Sequence, residues 1–203
     1  MELKQVKNVV FDAGGVLVEW NTDRVLRQVF GDGEDLNRIK SCVYLHDDWH
    51  EFDRGGIDAG DLVENCSGRL GCEPAKMEEL LQVTLESLLP IQGTLEIMDR
   101  LKQRDILMYM LSNMPAPTFD YLQDKGPYWE KLDGHVISAH VGLIKPHAEI
   151  YEHLLGKFQL AGEETVFFDD LEVNIEGARR VGIRGILFEN PEQAWRDLEP
   201  LLA

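Results

Sequence analysis

The sequence predicts an α/β protein in which a parallel sheet carries helices on both faces and a long helical stretch interrupts the pattern after the first strand. Three observations carry this expectation. Short β-branched and apolar runs alternate with helix-period segments from about residue 90 onward, the pattern of strand–helix–strand units. Between Asn21 and about Leu89 only the helical period is present. Finally, the polar residues Asp12, Ser112, Asn113, Asp169 and Asp170 all fall at the carboxyl ends of strand-like runs, where open parallel sheets bind ligands.

The elements follow in order. Val6 to Phe11 is a short strand ending in Asp12 and a turn, Ala13-Gly14-Gly15. Asn21-Thr22-Asp23 caps a helix with Val25, Leu26, Val29 and Phe30 on one face. Gly55-Gly56 breaks the chain, and Asp58 caps the next helix through Leu62 and Val63. Pro74 suits the first turn of another, whose apolar face holds Met77, Leu80, Leu81 and Leu85. After Pro90 come a helix over Thr94 to Lys102, a second strand over Ile106 to Leu111 and a third over Val136 to Ser138. A helix over Ala148 to Phe158 precedes the fourth strand, Thr165 to Phe168. Asn174 to Val181 is a helix closed by Gly182, Arg184 to Phe188 a fifth strand, and Glu192 to Leu202 the last helix.

A chain of 203 residues suffices for one domain, or for a core with a modest insertion. Its composition, 44% hydrophobic and 28% charged, is that of a soluble globular protein. No apolar run approaches the roughly 20 residues needed to cross a bilayer. Thirty-seven acidic residues against 20 basic give a formal charge of −17, a field that repels a nucleic-acid backbone. It equally repels phosphate esters, so any phosphate site must be made locally positive. The polar stretch Met1 to Lys7 lacks the regions of a secretory signal, and the expected location is cytoplasmic. The three cysteines, Cys42, Cys66 and Cys72, have neither disulfide-framework nor zinc spacing and read as buried or half-buried apolar residues.

The strand-end residues suit phosphoryl chemistry. A carboxylate held at a strand end before two glycines, as Asp12 is, can attack phosphorus. Asp169 and Asp170 would repel each other unless solvent or a cation intervenes, and Mg²⁺ takes one or two carboxylates together with substrate oxygens. The Ser112 hydroxyl and the Asn113 side-chain amide can donate to a phosphate oxygen. Lys145, before Pro146, would neutralise phosphate and carboxylates together.

The order of these segments resembles the haloacid dehalogenase-like (HAD) hydrolases over nearly the whole chain. Four motifs stand in sequence: VVFDAGGVL at 9–17, LSN at 111–113, KP at 145–146 and VFFDDLEVNIEGARRVG at 166–182. LPIQGTLEIMDRLKQRD at 89–105 is similar to the family's helix before the second motif. The resemblance implies a Rossmann-like core from residues 1–17 and 90–203, with a helical cap domain over 18–89. It implies Asp12 as covalent nucleophile and Ser112 and Asn113 as phosphate-binding residues. Lys145 would bridge phosphate and nucleophile, and Mg²⁺ would be held by Asp12, the Gly14 carbonyl, Asp169 and Asp170. The substrate would be a small phosphorylated metabolite.

One position departs from the pattern. The family's second aspartate, two residues after the nucleophile, is Gly14 here. That removes the usual general acid/base, a group typically worth ~10²–10⁴ in rate. The Asp-x-Gly form resembles bacterial sugar-phosphate phosphatases, glucose 1-phosphate phosphatase among them, and the N-terminal domains of epoxide hydrolases. A sugar 1-phosphate, with its better leaving group, fits the loss. Two alternatives stay open: a phosphate-ligand binding module, and a metal-independent haloacid dehalogenase. Trp20, Asn21, Tyr44, His46, Trp49 and His50 are expected near the cap side of the site, or in its core. His46 reads as a helix-end residue, and Tyr128 and Trp129 as possible borders of the mouth.

Overall fold

The computed structural model describes residues 5–202, so Met1 to Lys4 of the polar N-terminal stretch lie outside it. Five strands form one parallel sheet: β1 (Asn8–Phe11), β2 (Leu107–Ser112), β3 (Gly134–Ile137), β4 (Thr165–Asp169) and β5 (Arg184–Leu187). Their order is β3-β2-β1-β4-β5, with Phe11 in register with both Met110 and Phe168. Successive residues face opposite sides of a strand, and both sides here are covered. Val9, Phe11, Met108, Met110, Val166 and Phe168 belong to one core, with α6 (Gln92–Lys102), α7 (Ala116–Lys125) and α11 (Pro191–Leu198) on that face. Val10, Tyr109, Leu111, Val136 and Phe167 belong to the other, under α9 (Ala148–Phe158) and α10 (Glu172–Arg180).

The chain runs outward from β1 to β3, then returns to the other side of β1 as β4. The sheet's switch point therefore lies between β1 and β4, where Asp12 and Asp169 end their strands. The expected strands are all present with shifted ends. Ser138, expected in β3, instead opens a short helix, α8 (Ser138–Val141).

Five helices fill the interruption: α1 (Thr22–Phe30), α2 (Leu36–Cys42), α3 (Asp47–Arg54), α4 (Ala59–Leu70) and α5 (Pro74–Glu86). Their starts are those the sequence marks: Asn21 accepts from the Arg24 amide, Asp58 and Asp61 form a reciprocal capping box, and Pro74 opens α5. Their apolar faces meet in a separate core that includes Leu26, Val43, Phe52, Leu62, Met77 and Leu80. Cys66 is buried there, with Cys42 and Cys72 half-buried. The chain leaves and returns through adjacent segments. The Glu19 amide donates to the Leu89 carbonyl at 2.8 Å, and the Ile91 amide to Leu17 at 2.9 Å.

Candidate active site

The loop after β1 is a tight turn in which the amides of Leu17 and Val18 donate to the Ala13 carbonyl and the Gly15 amide to Val18. Gly15 has φ +74°, and a Cβ there would lie 2.6 Å from Asp170 Oδ2. A glycine is thus required for the β4 loop to approach β1. The result brings carboxylate oxygens of Asp12, Asp169 and Asp170 within 4.8 Å of one another.

Asp12 is buried, and its Oδ1 is pinned by the Ala13 amide at 2.7 Å and by Lys145 Nζ at 2.9 Å. Lys145 Nζ also donates to Asp169 Oδ2 at 2.6 Å. Burial, with the charges of Asp169 and Asp170, outweighs Lys145 and pushes the Asp12 carboxyl up to about 7. Burial alone would lower the Lys145 ammonium, but the two carboxylates overcome it and hold it above its usual value. Asp170 is raised as well, by burial and by Asp169.

Asp169 is fully buried and its oxygens are occupied. Oδ1 accepts from the Leu171 amide and Asn174 Nδ2, and Oδ2 from Lys145 and Asn174 Nδ2. Asn113 differs from expectation in a similar way. Its Oδ1 accepts from the Lys145 amide at 2.9 Å and its Nδ2 donates to the Lys145 carbonyl at 3.1 Å. Both ends of the side chain clamp the lysine's backbone, so neither is turned to a ligand. Ser112, in contrast, lines the cavity and its hydroxyl makes no hydrogen bond among the described residues.

The donor set fits a hard divalent cation. At the β1–β4 switch point the carboxyls of Asp12, Asp169 and Asp170 lie together and Lys145 pairs with the first two, while Asp53, from the inserted helices, lines the same cavity. Lys40 also lines the cavity but pairs with Asp23 at 2.8 Å. The Gly14 carbonyl accepts no backbone hydrogen bond among the described residues. With Asp169 engaged elsewhere, Asp12, Asp170 and the Gly14 carbonyl are the open oxygens, the ligand type Mg²⁺ prefers.

These residues form the closed end of a cavity of about 460 Å³ between the sheet and the inserted helices. Trp20, Tyr44 and Trp49 make one wall, with Tyr44 and Trp49 ring centroids 4.6 Å apart and Trp20 edge-on to Tyr44 at 5.8 Å. The Tyr44 hydroxyl and Thr84 Oγ1 share a hydrogen bond at 2.6 Å, and Thr84 Oγ1 lies 2.7 Å from the Leu80 carbonyl. Val18, Leu88, Met114 and Leu122 also line the space. At its mouth Trp20, Leu45 and Leu171 are exposed, Leu45 by 64%. His50 reaches the cavity, whereas His46 is the N-cap of α3, accepting from the Asp48 amide. Tyr128 and Trp129 do not border the mouth: Tyr128 is wholly buried in the sheet's core, and Trp129 meets Phe119 edge to face.

Sequence reasoning missed three residues. Asn174, five residues past Asp169, reads from the sequence only as a helix start, Ser138 reads as a strand residue, and Asp53 draws no functional expectation. Its signal was its place one helical turn from Trp49, a carboxyl on an otherwise apolar stripe with Phe52.

Fold and site together define a hydrolase. The model of the haloacid dehalogenase-like hydrolase family matches residues 6–182, and the chain belongs to that family. The sesquiterpene phosphatase astK of Aspergillus oryzae is 32% identical to it over 180 residues, 89% of this chain and 88% of that protein. The D-ribitol-5-phosphate phosphatase of Bacteroides thetaiotaomicron is 25% identical over 205 residues, 94% and 95% of the two chains. Among solved structures, a HAD family enzyme of Bacteroides thetaiotaomicron in complex with magnesium and inorganic phosphate superposes with a TM-score of 0.74, at 19% identity over 90% of this chain and 93% of that one. No described helix is long and apolar enough to cross a membrane.

Proposed function

We propose that this hydrolase is an Mg²⁺-dependent phosphatase acting on monoesters of a largely apolar alcohol, through an aspartyl-phosphate on Asp12. The observation that carries the reading is the pinned Asp12–Lys145 pair at the end of an aromatic-lined cavity. Asp12 attacks phosphorus while Lys145 offsets the charge of the phosphoryl oxygens, and the Ser112 hydroxyl donates to one of them. Asn113 and Asp169 hold Lys145 in place, from its backbone and its ammonium respectively. Asp12, Asp170 and the Gly14 carbonyl would hold Mg²⁺, which would supply Lewis-acid neutralisation of the transferring group.

Residues 18–89 serve as a cap over the core formed by 1–17 and 90–203. The segments at Leu17–Glu19 and Leu89–Ile91 are where it hinges. The cap selects the alcohol. We favour an apolar one over the sugar phosphate expected from sequence for two reasons. The Tyr44 hydroxyl is already hydrogen-bonded to Thr84, and the mouth is rimmed by exposed Trp20, Leu45 and Leu171. The relative named as a sesquiterpene phosphatase points the same way; the one named for D-ribitol 5-phosphate points to a polyol. A dehalogenase needing no metal would leave the apposed Asp12 and Asp170 without a purpose, and a pure binding module would leave the pinned Asp12 without one.

The test is phosphate release, with Mg²⁺ or EDTA, from octyl phosphate, farnesyl monophosphate, glucose 1-phosphate and ribitol 5-phosphate. The expected result is metal-dependent turnover with kcat/KM at least about tenfold higher for the apolar esters, the scale of one or two buried methylenes. Preference for the polyol or sugar esters would return the substrate to the polar class.

A further inference from the structure

The vacancy at Gly14 leaves the proposed reaction without a proton donor on the first loop. A Cβ at Gly14 would be 3.5 Å from Trp20, so the indole stands over the glycine from which a longer side chain would project. The cavity offers one other carboxyl that the reading above does not use. Asp53, in the last turn of α3, is only 8% exposed, lines the same cavity as Asp12 and Lys145, and makes no side-chain hydrogen bond or ion pair among the described residues. Of the ionisable groups near it, Asp12 and Lys145 are the ones whose charges it feels.

Its position is fixed by the core. The Ser138 hydroxyl, at the start of α8, donates to the Asp53 backbone carbonyl and accepts from the Met114 amide at 2.8 Å. Gly55, with φ +82°, ends α3 where a Cβ would lie 2.9 Å from the Ala139 carbonyl. This close docking holds the end of the helix against the sheet's carboxyl edge.

We propose that Asp53, delivered from the inserted helices, is the general acid/base of this enzyme, in place of the residue missing at Gly14. The assignment rests on the phosphatase reading. In the first step an Asp12 carboxylate oxygen bonds to phosphorus and the bond from phosphorus to the ester oxygen breaks. The electron pair stays on that oxygen, which takes the Asp53 proton and leaves as the alcohol. In the second step water bonds to phosphorus and gives its proton to the Asp53 carboxylate. The bond to Asp12 breaks with its electron pair returning to the carboxylate, and inorganic phosphate departs. Burial and the Asp12 charge, against a lowering by Lys145, push the Asp53 carboxyl up, the direction a proton donor to the leaving oxygen needs.

The experiment compares octyl phosphate, a poor leaving group, with 4-nitrophenyl phosphate, a good one, in the wild-type enzyme and in Asp53→Asn. It pairs these rates with acid-quenched intact-mass measurement of the phosphoenzyme. The wild type should show a shallow dependence of kcat/KM on leaving-group acidity. Asp53→Asn should lose about 10²–10⁴ in kcat/KM on octyl phosphate and far less on the nitrophenyl ester. It should also accumulate phosphoenzyme during turnover of the latter, because the water-activating base is gone. A steep dependence in the wild type, or equal losses on both esters with no accumulation, would overturn the assignment of Asp53. Absence of wild-type turnover on either ester would instead overturn the phosphatase reading on which it stands.

Discussion

The floor and the roof of the cavity are built on different principles. On the floor the charged pair and its supports are fixed: Asp12 Oδ1 by Ala13 and Lys145, Asp169 by Lys145, Asn174 and Leu171, and Lys145 from its own backbone by Asn113. The roof presents aromatic rings, an exposed Leu45 and a carboxyl, Asp53, whose side chain makes no hydrogen bond among the described residues. Phosphoryl transfer is the same reaction for every ester and rewards rigid placement of charge. The alcohol varies, and a surface of apolar contacts on a hinged element accommodates it without altering the floor.

If this contrast is right, damage to the floor is severe and indifferent to the alcohol. Asp12→Asn should reduce phosphate release to the buffer background on every ester, with an unchanged circular-dichroism spectrum. Lys145→Ala should be inactive and also less stable, because it leaves Asp12 and Asp169 buried without their partner; breaking such a pair costs ~3–5 kcal/mol. Losing the lysine favours the protonated carboxyls, so the Tm deficit should grow as pH rises from 5 to 8 and shrink toward acid. Asn113→Ala removes two hydrogen bonds to the Lys145 backbone. It should cost about 1–3 kcal/mol of transition-state stabilisation, read as an equal loss of kcat/KM across esters.

Damage to the roof should be smaller and selective. Leu45→Ala and Trp20→Ala should raise KM for octyl phosphate by about tenfold and leave short-chain esters nearly unaffected. Asp53→Asn carries a stability signature of its own. A carboxyl held at about 8 against an ordinary 3.8 resists ionisation in the fold, so its destabilising effect is absent below the ordinary value and grows as pH rises toward 8. The Tm of Asp53→Asn, measured in EDTA, should therefore exceed that of the wild type by a margin that widens from pH 5 to pH 8 and levels off above.

Much of the floor was legible because its signals are local. Asp12, Ser112, Asp169 and Asp170 each end or follow an apolar run, and the glycines after Asp12 mark the turn. What those side chains bond to was less legible. Asn113 clamps Lys145 across 32 residues of chain, and nothing in the LSN segment tells a clamp from a phosphate donor. The helices of the insertion were found by their caps, Asn21, Asp58 and Pro74, whereas α2 and α3 were not separated within it. Asp53 was hidden for a nonlocal reason. Its burial depends on α3 docking at Ser138, 85 residues away, and a lone Asp in a helix otherwise reads as a solvated residue. The sequence leaves Tyr44 and Trp49 open between core and cavity wall, and they are both: buried against the inserted helices on one side and facing the site on the other.

The most direct test of the central claim is to find the phosphoryl group on Asp12. Wild-type enzyme is mixed with octyl phosphate and Mg²⁺, quenched in acid within the first turnover, cleaved with protease and examined by mass spectrometry. One added phosphoryl group is expected on the peptide carrying Asp12, absent when EDTA replaces Mg²⁺ and absent in Asp12→Asn. Turnover with no adduct at Asp12, or with the adduct on another residue, would contradict it.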